Sequence, residues 1–250
     1  KKLPYHDNLK SFGACFGVSA GYERPMWFAL DGEKAEYEYS YNYQSWYPSA
    51  EYETNNTIKN VGLFDLTPFS KFEIKSDKAH KELQRICTAN IKNEIGKCTY
   101  THMLNSDGGI ETDLTVVCID KNYFRIISSA ATRERDKFHI NKHISKDVEL
   151  KDVTDDYCVF GLFGPKSRDL IKTISKDNFD KNNFKFGTAK YITINGVKVW
   201  AQRLSYVGEL GFELYVSIND AKKIYELLIE KGKDFNLSNC GMHAMDIMRM

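Results

Sequence analysis

The stretch TYTHMLNSDGGIETDLTV, residues 99–116, predicts a β-hairpin. Two apolar segments flank five consecutive turn-forming residues, which run from Asn105 to Gly109. Such a run favours a chain reversal between Leu104 and Ile110, so the flanking segments should pair as antiparallel strands. The fold of this part of the chain is therefore expected to be built around that hairpin.

Asp113 is the unusual residue of this hairpin. It alternates with Leu114 and Val116 along the second strand, which places it on the opposite face of the sheet from Leu114. Aspartate is depleted in strand interiors because its side chain competes with the ladder for backbone hydrogen bonds. The residues alone leave two explanations open: Asp113 hydrogen-bonds the turn backbone, or it has a chemical role.

Composition and charge exclude several classes of protein. Of the 250 residues, 42% are hydrophobic and 28% are charged, which is typical of a globular domain with a sizeable core. The 35 basic and 34 acidic side chains give a net charge of +1, so no net field would attract nucleic acid or an anionic membrane. We therefore expect neither as a partner.

The apolar runs fall far short of the roughly 20 residues that cross a bilayer, and no signal-peptide pattern opens the chain. We expect a protein of the cytosol or of a matrix-like compartment, and of the two we favour the cytoplasm. The six cysteines include no CxxC pair, which predicts reduced, structural thiols. The chain begins with lysine and stops inside a predicted helix, CGMHAMDIMRM at 240–250, so we expect a fragment of a longer protein.

A repeated order of elements predicts an α+β fold. Alternating strands run directly into amphipathic helices, first near Asp77 and then near Thr132, where Phe138 and Ile144 should face the core. The same order recurs after YCVFGLFG and FELYVS, and an Asn195-Gly196 turn predicts a second hairpin. Two α+β halves follow, each with an antiparallel sheet and with helices on one face.

Three segments, in one order along the chain, resemble signatures of a known family. They are GLFDLTPFSKFEI at 62–74, the Gly-Gly hairpin, and SYVGELGFELYV at 205–216. The family is that of the glycine cleavage system T-protein, an aminomethyltransferase, together with the folate-binding portions of dimethylglycine and sarcosine dehydrogenases. The Glu-Arg-Pro and Trp-Phe-Ala of residues 23–29 resemble the dehydrogenase branch most closely.

The resemblance implies the aminomethyltransferase folate-binding fold. That fold has two ferredoxin-like halves with a folate site between them, and the C-terminal barrel of the family is absent from this chain. The expected divisions are an N-terminal segment at about 1–60, a first half at about 61–150, a second half at about 151–235 and a truncated helix at about 240–250.

The resemblance also implies an activity, which is tetrahydrofolate-dependent transfer of an aminomethyl or one-carbon unit. The expected partners are folate and an aminomethyl or N-methyl amine donor. One alternative is the folate-binding module of a flavin-dependent dimethylglycine or sarcosine dehydrogenase, which would carry FAD in an upstream domain of the parent protein. Another alternative is a folate-binding relative without catalytic activity.

In the first half, the resemblance assigns two residues of the hairpin. Asp113 matches the acid that follows the Gly-Gly turn and approaches tetrahydrofolate, and the implied role is to stabilise a cationic iminium and to position the attacking amine. Tyr100 matches a family aromatic on the partner strand. His102 shares its face of the sheet, and it would either line the pocket or lie at the surface.

In the second half, Glu213 and Tyr206 match the family's pterin-binding acid and an aromatic that precedes it. Glu209 is the rival carboxylate, and residue chemistry alone does not choose between the two acids. Arg249 matches a family arginine in the last helix, whereas Met245 replaces the arginine that T-proteins carry one turn earlier. That replacement favours the dehydrogenase branch over a true T-protein.

No metal site is predicted. His139 and His143 have helical i, i+4 spacing, but neither an HExxH acid nor a third ligand accompanies them.

Overall fold

The computed structural model describes residues 1–250 and divides the chain into two compact units. Unit 1 comprises Lys1–Thr67, Tyr157–Lys185 and Tyr191–Met250. Unit 2 comprises Pro68–Asp156 and Phe186–Lys190. Both units combine β-sheets with α-helices, which confirms the predicted α+β class.

The elements are numbered in chain order. The helices are α1 (His6–Ser11), α2 (Tyr47–Lys59), α3 (Ala79–Ile86), α4 (Arg133–His143), α5 (Ser167–Ile174), α6 (Ala221–Gly232) and α7 (Met242–Arg249). The strands are β1 (Ala14–Ser19), β2 (Tyr22–Phe28), β3 (Val61–Asp65), β4 (Ser70–Lys75), β5 (Cys98–Leu104), β6 (Ile110–Asp120), β7 (Tyr123–Ser128), β8 (Leu150–Asp152), β9 (Tyr157–Phe163), β10 (Ala189–Ile194), β11 (Val197–Gln202), β12 (Gly211–Ser217) and β13 (Leu237–Cys240). None of the helices is both long and apolar enough to span a bilayer.

Unit 1 is organised around a six-stranded sheet in the order β10-β11-β12-β9-β3-β13. One face of the sheet forms the main core, where Phe160 and Leu214 cluster with Leu170 of α5 and with Ile224 and Leu228 of α6. Strands β1 and β2 form a separate two-stranded hairpin, which also belongs to unit 1. The opposite face of the six-stranded sheet carries the polar residues Gln202 and Glu213.

The place of β3 inside the sheet of unit 1 differs from the expected division of the chain, which grouped residues 61–150 together. Strand β3 pairs with β9 and β13 in unit 1. All five of its residues are buried, and an interior strand satisfies its backbone on both edges. Its pairing with β13 is parallel, so the sheet is not wholly antiparallel as predicted. The alternation of apolar residues does not report strand direction.

Unit 2 is a five-stranded sheet in the order β5-β6-β7-β4-β8. Its core contains Phe72 and Phe124 of the sheet together with Leu83 of α3 and Ile140 of α4. The prediction that Phe138 faces this core was wrong, because its side chain is 69% exposed. Residues two apart lie about 200° apart around a helix, so burial of Ile140 turns Phe138 outward.

Candidate functional site

The predicted hairpin brings together three side chains in unit 2. Strands β5 and β6 pair with Tyr100 opposite Thr115 and His102 opposite Asp113. The Tyr100 hydroxyl donates a hydrogen bond to Asp113 Oδ2 at 3.0 Å. The Tyr100 and His102 rings meet edge to face, with their centroids 5.3 Å apart. Asp113 is exposed, so this face presents a carboxylate that is held by a tyrosine.

The residues on either side of Asp113 explain why it points outward. Leu114 is buried in the core of unit 2. The buried Thr112 side chain donates a hydrogen bond to Asp136 Oδ2 of α4 at 3.2 Å, and Thr132 donates to the same oxygen at 2.7 Å. Because successive side chains of a strand point to opposite faces, these two inward anchors fix Asp113 on the outer face.

The turn does not depend on Asp113. Asn105 Oδ1 accepts hydrogen bonds from the backbone N–H groups of Asp107 and Gly109. Gly108 has a φ of +82°, a conformation that favours glycine. Asp113 Oδ1 accepts no hydrogen bond from the protein, and Oδ2 is bonded only to Tyr100. The first of the two explanations of Asp113, a bond to the turn backbone, therefore does not apply.

A second polar cluster lies in unit 1, on the sheet face opposite to the main core. Glu213 of β12 is paired with Gln202 of β11, and Tyr215 is paired with Trp200. The Tyr215 hydroxyl donates a hydrogen bond to Glu213 Oε2 at 3.1 Å. Glu213 is half-buried, and desolvation by burial raises the pKa of its carboxyl to about 7 despite the opposing hydrogen bond. Glu213 Oε1 accepts no hydrogen bond from the protein.

Gln202 belongs to this cluster and was not predicted from the sequence. Its side chain is 0% exposed, and neither its amide oxygen nor its amide nitrogen has a hydrogen-bond partner. The strand pattern VKVWAQ contained the signal, because alternation puts Gln202 on the face opposite to Ala201, a residue of the main core. The register that sets it across from Glu213 could not be read from the sequence.

The structure also brings Tyr206 and Arg249 together. The Arg249 guanidinium of α7 lies over the Tyr206 ring, 4.5 Å from its centroid. The buried Arg24, which the sequence analysis did not single out, donates a hydrogen bond from Nη2 to the Asp65 carbonyl oxygen at 3.1 Å. Burial lowers the pKa of Arg24, and the nearby Asp65 opposes that shift.

Glu209, the rival carboxylate, has a different environment from Glu213. It lies in the irregular segment before β12, it is half-buried, and its carboxylate makes no hydrogen bond or ion pair. It follows Gly208, whose φ of +80° lies in the left-handed region, at a bend of the chain. Glu213 is instead fixed on a strand by its pairing with Gln202 and by Tyr215. The Glu213 carboxyl is therefore held in place by a neighbouring side chain, whereas the Glu209 carboxyl is not.

No group of three or more His, Cys, Asp or Glu side chains could hold a metal ion. His139 and His143 of α4 contact one another, with ring centroids 4.4 Å apart, and Nδ1 of His143 hydrogen-bonds the His139 carbonyl oxygen.

Known proteins provide an independent comparison. A 4-methylaminobutanoate oxidase (formaldehyde-forming) of Paenarthrobacter nicotinovorans is 33% identical over 250 residues, which cover 100% of this chain and 30% of that protein. The mitochondrial dimethylglycine dehydrogenase of Rattus norvegicus is 31% identical over 237 residues, or 94% of this chain and 28% of that protein. The chain thus spans less than a third of the length of these two relatives.

A solved structure supports the fold. The crystal structure of glycine cleavage system aminomethyltransferase T from Bartonella henselae is similar to this chain with a TM-score of 0.80 and 22% identity, over 100% of this chain and 62% of that one. The family model described as the GCVT N-terminal domain matches residues 5–250. The chain therefore belongs to the GCVT N-terminal domain family, in agreement with the resemblance that its three sequence segments indicated.

Proposed function

We propose that this chain binds tetrahydrofolate and acts in the transfer of an aminomethyl or one-carbon unit to it. The observation that carries the proposal is Glu213, a half-buried carboxyl group on the sheet face opposite to the main core. Tyr215 occupies one of its oxygens, and the other accepts no bond from the protein. A desolvated carboxylate of this kind is suited to a ligand with hydrogen-bond donors.

A pterin has the complementary chemistry. Its edge presents a ring N–H beside an amino group, and a carboxylate accepts this pair of donors in a bidentate arrangement. Its flat ring system packs well against aromatic side chains, and Tyr206 offers such a ring beside Arg249. The buried and unpaired amide of Gln202 adds a polar group across the strand from Glu213. The residues present therefore fit a reduced folate.

We assign the chemical role to Asp113. When bound, tetrahydrofolate supplies the two nitrogens that accept the one-carbon unit. Asp113 would stabilise positive charge on the iminium of the donor and orient the attacking amine. The Tyr100 hydroxyl holds one carboxylate oxygen, and the inward anchors Thr112 and Leu114 hold the backbone. Asp113 Oδ1 remains available to a cationic group.

A second candidate function follows from the relatives. The two relatives reported above are an oxidase and a dehydrogenase, and this chain matches less than a third of each. The same folate site would then serve a longer flavin-dependent enzyme, whose FAD oxidises an N-methyl amine and so generates the iminium donor. Met245, which is buried in α7 where T-proteins carry an arginine, agrees with this branch.

Calorimetric titration with tetrahydrofolate tests the proposal. The wild-type chain should bind, and Glu213→Gln should lose about 1.5–3 kcal/mol, as expected for a hydrogen-bonded charged acceptor. Glu209→Gln is the matched control, and its affinity should stay within about twofold of wild type because Glu209 belongs to a turn. Absence of binding to a folded wild-type chain, or an equal loss in both variants, would contradict the proposal.

A further inference from the structure

His102 is a half-buried histidine of the β5–β6 hairpin whose imidazole is open to a ligand. Its side chain makes no hydrogen bond or ion pair with the protein, and neither ring nitrogen is a buried, unpaired atom, so solvent reaches both of them. The ring meets that of Tyr100 edge to face. Tyr100 is 62% exposed and Asp113 is also exposed, so a ligand on this face of the hairpin can reach all three side chains.

The backbone sets His102 close to Asp113. The two residues are directly opposite in the β5–β6 pair. Both backbone groups of His102 point to the other edge of β5, where the N–H donates to Thr88 Oγ1 at 3.3 Å and the carbonyl oxygen accepts from the Thr88 N–H at 3.0 Å. His102 and Asp113 are therefore a pair without backbone hydrogen bonds between them. In such pairs the Cα atoms are about 4.5 Å apart and the side chains approach most closely.

The other titratable groups near His102 have different tasks. The Tyr100 hydroxyl donates its proton to Asp113 Oδ2. Asp113 must stay ionised to stabilise a cation, so it cannot also store a proton. Glu111 lies toward α4, on the core side of the sheet: burial lowers the pKa of His139 in α4, and the charge of Glu111 opposes that shift. His102 is therefore the neighbour of Asp113 that is suited to exchange protons.

Transfer of a one-carbon unit to tetrahydrofolate moves protons as well as carbon. A bond forms between one tetrahydrofolate nitrogen and the iminium carbon, and the C=N π electrons pass to the donor nitrogen. The attacking nitrogen must then lose its proton, and the donor nitrogen must gain one before the amine leaves with the electrons of its bond to the carbon. Bonding of the second nitrogen to the carbon releases a further proton to solvent. Iminium and tetrahydrofolate thus give methylenetetrahydrofolate, free amine and one proton.

We propose that His102 carries the proton of this transfer: its imidazole takes the proton from the attacking tetrahydrofolate nitrogen and gives it to the departing amine nitrogen. This inference rests on the proposed function, because it deepens the same site. Imidazole gains and loses a proton near neutral pH, which suits it to act first as base and then as acid. The two opposite residues divide the chemistry, since Asp113 keeps its charge while His102 changes its own.

Steady-state kinetics with added imidazole test the assignment. The probe is methylenetetrahydrofolate formation from tetrahydrofolate and the iminium that sarcosine forms with formaldehyde, after subtraction of the uncatalysed rate. In His102→Gln, kcat should fall about a hundredfold, the size of a typical acid–base contribution. Free imidazole should restore part of the lost rate, because it replaces the missing proton carrier. Asp113→Asn should not respond to imidazole, since it lacks a charge rather than a proton carrier.

Nuclear magnetic resonance provides a measurement that does not depend on turnover. The ring C–H signals of His102 should shift when tetrahydrofolate is added to the wild-type chain, because the ligand lies beside the imidazole. His139, a half-buried histidine on the core side of the same sheet, is the matched control, and its signals should not shift. The variants His102→Gln and His139→Gln identify the two sets of signals by their loss. His139→Gln should also retain wild-type kcat and show no response to imidazole.

Each remaining outcome contradicts the inference at a different point. Wild-type kcat in His102→Gln, or a loss that imidazole does not restore, overturns the role of His102 alone, provided that the wild-type chain binds tetrahydrofolate and turns over. His102→Asn repeats the test with a shorter side chain, and loss of the native circular dichroism spectrum in both variants would make His102 a structural residue. If the folded wild-type chain binds no tetrahydrofolate, the proposed function fails and this inference fails with it.

Discussion

The Tyr100 hydroxyl donates a hydrogen bond to Asp113 Oδ2 across the β5–β6 hairpin at 3.0 Å. Tyr100 is opposite Thr115, and Asp113 is opposite His102, so the two bonded residues are diagonal neighbours on one face. Tyr100 is 62% exposed, and an exposed hydrogen bond contributes little to stability because water can replace it. Its main physical effect is to select one orientation of the Asp113 carboxylate.

Tyr100→Phe should separate orientation from stability. The variant keeps the ring and loses the hydroxyl, so we expect one-carbon transfer to slow by about tenfold, equivalent to about 1.4 kcal/mol. The melting temperature should change by less than about 3 °C. Circular dichroism suits the stability measurement of this variant. Tryptophan fluorescence would report on unit 1, which contains all three tryptophans, whereas Tyr100 lies in unit 2. Tyr123→Phe, a half-buried tyrosine of the same sheet, is the control, and equal slowing in both variants would argue against a specific role.

Asp113→Asn should slow one-carbon transfer strongly while leaving folate affinity nearly intact. The amide retains the size of the side chain but loses the negative charge that stabilises an iminium, so turnover should fall by at least about a hundredfold. Tetrahydrofolate affinity should change by less than about threefold. Product formation from an amine donor and calorimetric titration measure the two effects separately.

The control for Asp113→Asn is Asp107→Asn, in the turn of the same hairpin. The Asp107 carboxylate is exposed and makes no hydrogen bond, so this substitution should leave turnover unchanged. If Asp113→Asn retains wild-type turnover, the non-catalytic alternative gains support. If it loses folate affinity as strongly as Glu213→Gln, Asp113 is a binding residue.

Local patterns predicted the hairpin and the outward direction of Asp113, because turn residues and alternation are encoded within a few neighbouring positions. The family resemblance then supplied Glu213 and Tyr206. The location of β3 and the parallel pairing of β13 were not predicted, because they depend on contacts between strands far apart in sequence. The position of Gln202 across from Glu213 was not predicted for the same reason, because it depends on the register of β11 and β12.

Folate affinity should depend on pH through Glu213. Burial raises the pKa of this carboxyl to about 7, so the group becomes increasingly protonated below that pH. Pterin donors bind the ionised form, and binding must then release a proton. We expect the dissociation constant to rise as pH falls from about 7, by up to about tenfold per unit.

Titrations between pH 6 and 8 measure this dependence. Glu213→Gln carries no titratable group at the position, so its weaker affinity should vary much less with pH. Glu209→Gln should retain the wild-type profile. A wild-type dissociation constant that stays flat across this range would show that the Glu213 carboxyl is not the titrating acceptor.

Glu53 of α2 should make the stability of unit 1 depend on pH. Its buried carboxyl accepts hydrogen bonds at 2.7 Å from the backbone N–H groups of Phe28 and Gly241. Desolvation nevertheless raises its pKa to about 8, against these two hydrogen bonds. The folded chain therefore holds this proton more tightly than the unfolded chain, whose glutamate titrates near the reference value of about 4.3.

The sign of the effect follows from proton linkage. Between about pH 4.5 and 8 the native state binds more protons than the unfolded state, so the free energy of unfolding falls as pH rises. The contribution of the raised Glu53 pKa to the free energy of unfolding is greatest below about pH 4.5 and is lost as pH rises through about 8. Urea unfolding followed by tryptophan fluorescence measures it, since all the tryptophans lie in unit 1.

Glu53→Gln replaces the titratable carboxyl group by an amide, so that only one of the two oxygens that accept hydrogen bonds remains. At pH 5 the variant should be less stable than wild type by about 1–3 kcal/mol, because one buried N–H loses its partner. The difference should shrink toward pH 8, since wild type loses stability over this range and the glutamine does not titrate. Glu51→Gln, exposed on the same helix, should follow the wild-type curve. Parallel curves for wild type and Glu53→Gln would mean that the Glu53 carboxyl is already ionised in the native state at pH 5.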